Sequence, residues 1–147
     1  MIAQEEILRL IALALLACPL SGFAPAQQTS PASTTPAVKT EILARSSSSW
    51  DGTPYKSYPS GQPEVTVVKI TIPAHTALKW HTHPMPNAGY VLSGDLTVEK
   101  KDGSKKHFGA GEAILETVGT IHRGVTGDQP VVLIVFYPGT PGMPLSE

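Results

Sequence analysis

The chain has 147 residues, and eleven Lys and Arg against twelve Asp and Glu leave a formal net charge of -1. That length predicts one domain with a real hydrophobic core, and the near-neutral balance argues against a nucleic-acid partner, which needs a basic stripe. Few charges and 14 prolines, roughly twice the usual share of about 5%, point to short elements and frequent turns.

The N-terminus reads as an export signal. Leu10 to Ala17 is an unbroken apolar run, too short to span a bilayer that needs about 20 residues. Ala24-Pro25-Ala26 supplies small residues for cleavage before Gln27, so residues 1–26 are expected to be a signal peptide and the protein periplasmic or secreted. Glu5 and Glu6 against one Arg9 depart from the usual positive start. Leu15-Leu16-Ala17-Cys18 resembles a lipoprotein cleavage box, which Leu16 and Pro19 weaken; soluble export is the preferred reading and lipidation at Cys18 the alternative. Cleavage after Ala26 would remove the only cysteine, and with it any disulfide or thiolate ligand.

Residues 27–39 are Pro, Ala, Ser, Thr and Gln with almost no aliphatic side chains, a composition that cannot offset its ordering entropy and predicts a disordered linker. A single β domain is expected over 40–140, followed by a loose tail at 141–147. Ile42 and Leu43 suggest a first short strand. Ser46 to Gln62 is irregular, with Trp50, Tyr55 and Tyr58 covering one end of the core.

Glu64 to Ile72, rich in Val, Ile and Thr, predicts a strand that Pro73 stops. A brief strand follows at Lys79 to His83. Asn87 to Leu92 and Asp95 to Lys100 flank a compact Ser93-Gly94 turn, and Asp102-Gly103 turns the chain back through Lys105 to Phe108. Lys100, Lys101, Lys105 and Lys106 are then a solvated hairpin tip. Glu112 to Thr117, His122 to Thr126 and the apolar Val131 to Tyr137 complete the set. No stretch after residue 40 has a helical period, so the fold is all-β, a sandwich or small barrel.

His81-Thr82-His83 is the most informative local pattern. On a strand, side chains two apart share a side, and His122 from a neighbouring strand could complete a nitrogen-rich pocket for one transition metal ion. Trp80 should face the opposite way, into the core or a subunit contact, and Tyr90 should alternate away from Asn87. His75 at a bend and His107 in a hairpin are expected at the surface. No Ser–His–Asp pattern, phosphate loop or dinucleotide fingerprint offers another mechanism.

In register, these residues resemble the cupin superfamily. Its first motif spaces His-x-His, a glutamate and a glycine as His81, His83, Asn87 and Gly94 are spaced here, with His75 in the first glycine slot. Its second motif matches Gly111, Gly119 and His122, with Thr117 in the place of a proline and Thr126 in that of an asparagine. The resemblance implies a double-stranded β-helix, the jelly-roll cupin barrel. It further implies a metal held by His81, His83, His122 and the residue at 87, and, by analogy, a homodimer through Trp50 and the Val131 to Tyr137 strand. It implies no particular activity.

Asn87 replaces the family's carboxylate with a neutral amide, so the expected cofactor is one divalent transition metal, Fe, Ni, Cu or Zn. Counting from Gly111, Ile114 and Glu116 share a face that is inward in the family. An inward glutamate is costly unless it binds a metal, pairs with a cation or accepts hydrogen bonds. Glu116 is therefore a candidate catalytic base or displaced fourth ligand; the alternative is a rim glutamate facing water or Arg123. Two functions follow: a metal-dependent enzyme, dioxygenase-like or isomerase-like, on a small molecule, or a non-catalytic module binding a small molecule or metal.

Overall fold

Alternating Val, Ile and Thr make Glu64–Ile72 the first strand, β1, with Val68, Ile70 and Ile72 turned inward and Val65 and Val67 outward. The computed structural model describes residues 36–147. The expected signal peptide, the lipoprotein box at Cys18 and most of the expected linker lie outside the described residues.

Six further strands follow: β2 (Ala88–Ser93), β3 (Leu96–Lys100), β4 (Lys105–Phe108), β5 (Ala113–Leu115), β6 (His122–Thr126) and β7 (Val131–Gly139). They form two antiparallel sheets, one ordered β1-β7-β2-β5 and the other β4-β3-β6. Among the described residues there is no helix, and so none long and apolar enough to cross a membrane. This is the all-β arrangement expected from the strand spacing, and the jelly roll that the cupin resemblance implies. The core lies between the sheets, where alternate residues meet: Val91 of β2, Leu96 and Val98 of β3, Ile114 of β5, and Val131, Leu133 and Val135 of β7.

Two turns need glycine. Gly94 has φ +78, and a Cβ there would collide with the Pro130 carbonyl oxygen. Gly103, φ +89, closes the β3–β4 hairpin, where its N–H donates to the Lys100 carbonyl.

Several elements differ from expectation. Ile42 and Leu43 form no strand and are 60% and 54% exposed, because no neighbouring strand pairs with them. Lys79 to His83 is held by single bridges, Ala77 to Val125 before it and His81 to His122 within it, rather than by a ladder. β7 continues through Pro138 and Gly139, which pair with Val65 and Glu64 after β2 has ended its own pairing at Ala88–Phe136. A proline is tolerated where only one neighbour remains. The segment beyond Gly139, expected to be loose, packs Met143 and Leu145 against the core.

Lys100 is not part of a solvated tip. Its ammonium lies 2.9 Å from Asp51 and 3.3 Å from Asp102, with side chains of Lys100 and Asp51 only 15% and 8% exposed. Trp80 does face away from His81, but it lies on the surface rather than in the core, with the Arg123 guanidinium 4.3 Å from its ring centre.

Candidate metal centre

The three histidines of the spaced pattern come together at one end of the barrel. His122 opens β6 on its inward side, along with Gly124 and Thr126. His81 is drawn to it by a pair of backbone hydrogen bonds, each 3.0 Å, and the extended limb then returns His83 to the same side. Ring centroids are 4.6 Å apart for His81–His122, 5.0 Å for His81–His83 and 5.1 Å for His83–His122. One ring nitrogen from each lies within 4.8 Å of the other two.

Hydrogen bonds fix which nitrogen that is. Nδ1 of His81, His83 and His122 lies 2.8 Å from the carbonyl oxygens of Lys79, Leu145 and Thr120 respectively. A carbonyl only accepts, so each Nδ1 carries the proton and each Nε2 keeps a free lone pair. Thr117, fully buried in the slot where the family has proline, places its hydroxyl 3.0 Å from the same His122 Nδ1. Outer hydrogen bonds of this kind orient metal-binding imidazoles.

Glu116 completes the end of the barrel. β5 stops at Leu115, but the backbone stays in register, with the Glu116 N–H donating to the Asn87 carbonyl. The side chain therefore points inward, on the same face as Ile114. Its Oε2 lies 3.3 Å from His122 Nε2; both atoms are buried, and neither has a hydrogen-bond partner among the described residues. Two bare acceptors at that distance repel unless a proton or a cation lies between them. Burial pushes the Glu116 carboxyl up to about 7. Arg123, the alternative partner, instead pairs with Glu99 across the β3–β6 pair.

Burial is also the main cause that brings His83 down to about 4; the Leu145 carbonyl opposes it, and the other two histidines add to it. His122 is lowered too, first by burial, against the Thr120 carbonyl. Both shifts favour the neutral ring, the form that binds a metal.

Asn87 is 4% exposed; its Nδ2 makes a long 3.4 Å contact to the Met85 carbonyl and its buried Oδ1 has no partner among the described residues. Two tyrosines join the site that the histidine pattern did not signal. Tyr137 is the last inward residue of β7, its ring 5.8 Å from His83, and its phenol is pushed up to about 12 by burial and then by Glu116. Its parity with Val131, Leu133 and Val135 was the available clue. Tyr55 donates from its hydroxyl to the Glu116 carbonyl at 2.8 Å. His75 and His107 are exposed and lie near Asp128 and Asp95, away from the site.

Comparisons with known proteins agree with this architecture. Residues 68–137 match the family described as the Cupin domain. Among solved structures, the chain is similar to the DMSP lyase DddQ from Ruegeria pomeroyi, with 20% identity over 63% of this chain and 45% of that one, and a TM-score of 0.50. It is also similar to the polyketide cyclase RemF from Streptomyces resistomycificus, with 26% identity, coverage of 56% and 58%, and a TM-score of 0.49. A cupin-like protein from Thermotoga maritima gives 12% identity, coverage of 56% and 62%, and a TM-score of 0.49. The chain thus spans less than two thirds of each of those proteins, and the likeness concerns the fold. No curated protein matches the sequence. Residues 68–137 are thus a match to the Cupin domain, and the jelly-roll topology of the chain is the fold of the cupin superfamily.

Proposed function

We propose that this cupin domain is a metal-dependent enzyme acting on a small molecule, with His81, His83 and His122 holding one divalent transition metal ion and Glu116 moving a proton. The observation that carries the reading is the pair of bare lone-pair atoms, Glu116 Oε2 and His122 Nε2, buried 3.3 Å apart. A proton held at Oε2 satisfies the pair, and so does a cation shared with His122, so the two atoms sit where proton transfer and metal binding meet. Three imidazole nitrogens within 4.8 Å of one another, with the Glu116 carboxyl beside His122, form a donor set suited to Fe, Ni, Cu or Zn.

When bound, such an ion supplies Lewis-acid polarisation of an oxygen and a more acidic water. The chain's own residues supply the rest. Glu116, carried close to neutrality by burial, can take a proton at Oε2 and return it. Asn87 Oδ1, unpartnered in the interior, is free to orient a substrate or serve as a neutral ligand. Tyr137 keeps its proton at physiological pH and serves as a donor. A glutamate facing solvent would have left only the histidines and Asn87 inside, a set suited to binding without turnover; the inward carboxyl favours catalysis.

Elemental analysis of untagged protein, purified without added metal, tests the site. About one Fe, Ni, Cu or Zn per chain is expected, and none in the His81→Ala/His83→Ala double variant. A folded wild type that contains no metal and takes up none on titration would overturn the proposal.

A further inference from the structure

The limb carrying His81 and His83 is gripped from two sides. On one side it bridges to His122 of β6. On the other, Thr82, the residue between the two histidines, exchanges backbone hydrogen bonds of 2.8 and 3.0 Å with Glu147. Leu145 offers its carbonyl to His83 Nδ1 at 2.8 Å. A turn at Thr140–Met143, with Gly142 at φ +80, brings the segment back across the barrel end, where Met143 and Leu145 pack on the core.

We propose that residues 143–147 are a positioning strap for the His-x-His limb, fixing His83 as its Nδ1–H tautomer with Nε2 turned toward His81 and His122. The consequence for metal binding rests on the three-histidine reading above; the effect on His83 does not. Without the strap the imidazole loses its only acceptor at Nδ1. It is then free to place the proton on either nitrogen and to turn about its side-chain bonds. His83 is 4% exposed, and removing Leu145 and Met143 opens that end to water, which competes for both ring nitrogens. Loss of an outer-shell partner of this kind lowers metal affinity by about 10- to 100-fold.

Two variants separate the strap from the barrel: a chain ending after Gly142, and full-length Leu145→Asp, which sets a carboxylate into the apolar packing and undocks the segment. Circular dichroism and thermal melts identify which variants stay folded. Imidazole nitrogen NMR on metal-free protein reads the tautomers, and calorimetric titration with Zn(II) reads affinity.

The expected result is a single Nδ1–H form of His83 in wild type, lost in the folded variants, with Zn(II) affinity 10- to 100-fold lower. His81 and His122 keep their tautomers, because Lys79 and Thr120 remain in place. An unchanged His83 tautomer and an affinity within twofold of wild type, in either folded variant, would overturn the strap. Should the truncated chain fail to fold, Leu145→Asp decides. Wild type that binds no Zn(II) would defeat the metal reading, while the tautomer comparison would still decide the strap.

Discussion

Glu116 and His122 show how one residue's placement decides between readings of a site. Both are needed by the same small volume, and each presents a lone pair to the other. A carboxylate serving only as a ligand and one serving as a base differ in what an amide can replace. Glu116→Gln keeps an oxygen donor but cannot accept a proton at neutral pH. With Glu116 as the base, the variant retains metal within about tenfold while turnover of a small-molecule substrate falls by roughly 10²- to 10⁴-fold. Metal content and single-turnover rates, measured on the same preparation, check this; equal rates in the two proteins would remove Glu116 from the chemistry.

At the scale of elements, the site depends on segments that are not strands. The limb at residues 79–83 has single bridges where the sequence suggested a short strand, and its outer face is held by Trp80 against Arg123, itself paired with Glu99. The irregular segment before β1 is tied to the β3–β4 hairpin by Asp51 and Lys100. Burial pushes the Asp51 carboxyl up. Hydrogen bonds from Ser49, Lys100 and Thr53 outweigh it and hold the group well below the usual carboxylate range. A depressed folded pKa contributes stability that is fully present above the unfolded value of 3.8 and is lost as pH falls through and below it. Asp51→Asn should therefore cost about 1–2 kcal/mol at pH 7, part of the cost being Lys100 left with Asp102 alone. It should also flatten the acid limb of the stability profile below pH 4. Urea unfolding at pH 7 and pH 3 checks both: the gap between variant and wild type should shrink at pH 3.

At the scale of the molecule, a site built from both sheets and from loops couples binding to folding. The three histidines cannot converge in an unfolded chain, so an ion that binds them stabilises only the native state. At a free Zn(II) concentration 100 times the dissociation constant this is worth about 2.7 kcal/mol, enough to raise the melting temperature by about 10 °C for a domain this size. Differential scanning calorimetry with and without Zn(II) should show that rise in wild type and none in His81→Ala/His83→Ala. β7 is paired on both edges, by β1 and β2, and presents no free edge to a second copy. Trp50 packs against the protein's own core, while Val65, Val67, Leu92 and Phe136 are exposed apolar residues of the outer face of the β1-β7-β2-β5 sheet.

The sequence by itself determined the strands from β1 to β7, though it also suggested strands at Ile42–Leu43 and at 79–83 that do not form, and its resemblance to the cupin motifs brought His81, His83 and His122 together. Alternation sets the face, glycine and proline set the turns, and the resemblance to the family's spaced motifs supplies the register. Even Glu116 could be put on an inward face by counting from Gly111. Whether its carboxylate would meet His122 or Arg123 was decided only in three dimensions, because Arg123 had a competing partner in Glu99 from a neighbouring strand. The same holds for the groups that orient the site. Leu145 is 62 residues from His83, and Tyr55 is 61 from Glu116. Leu145 contributes a backbone carbonyl, which every residue carries, and Tyr55 bonds to one. Contacts of that kind leave no trace in residue type or periodicity, and only the closed barrel brings the two ends of each bond together.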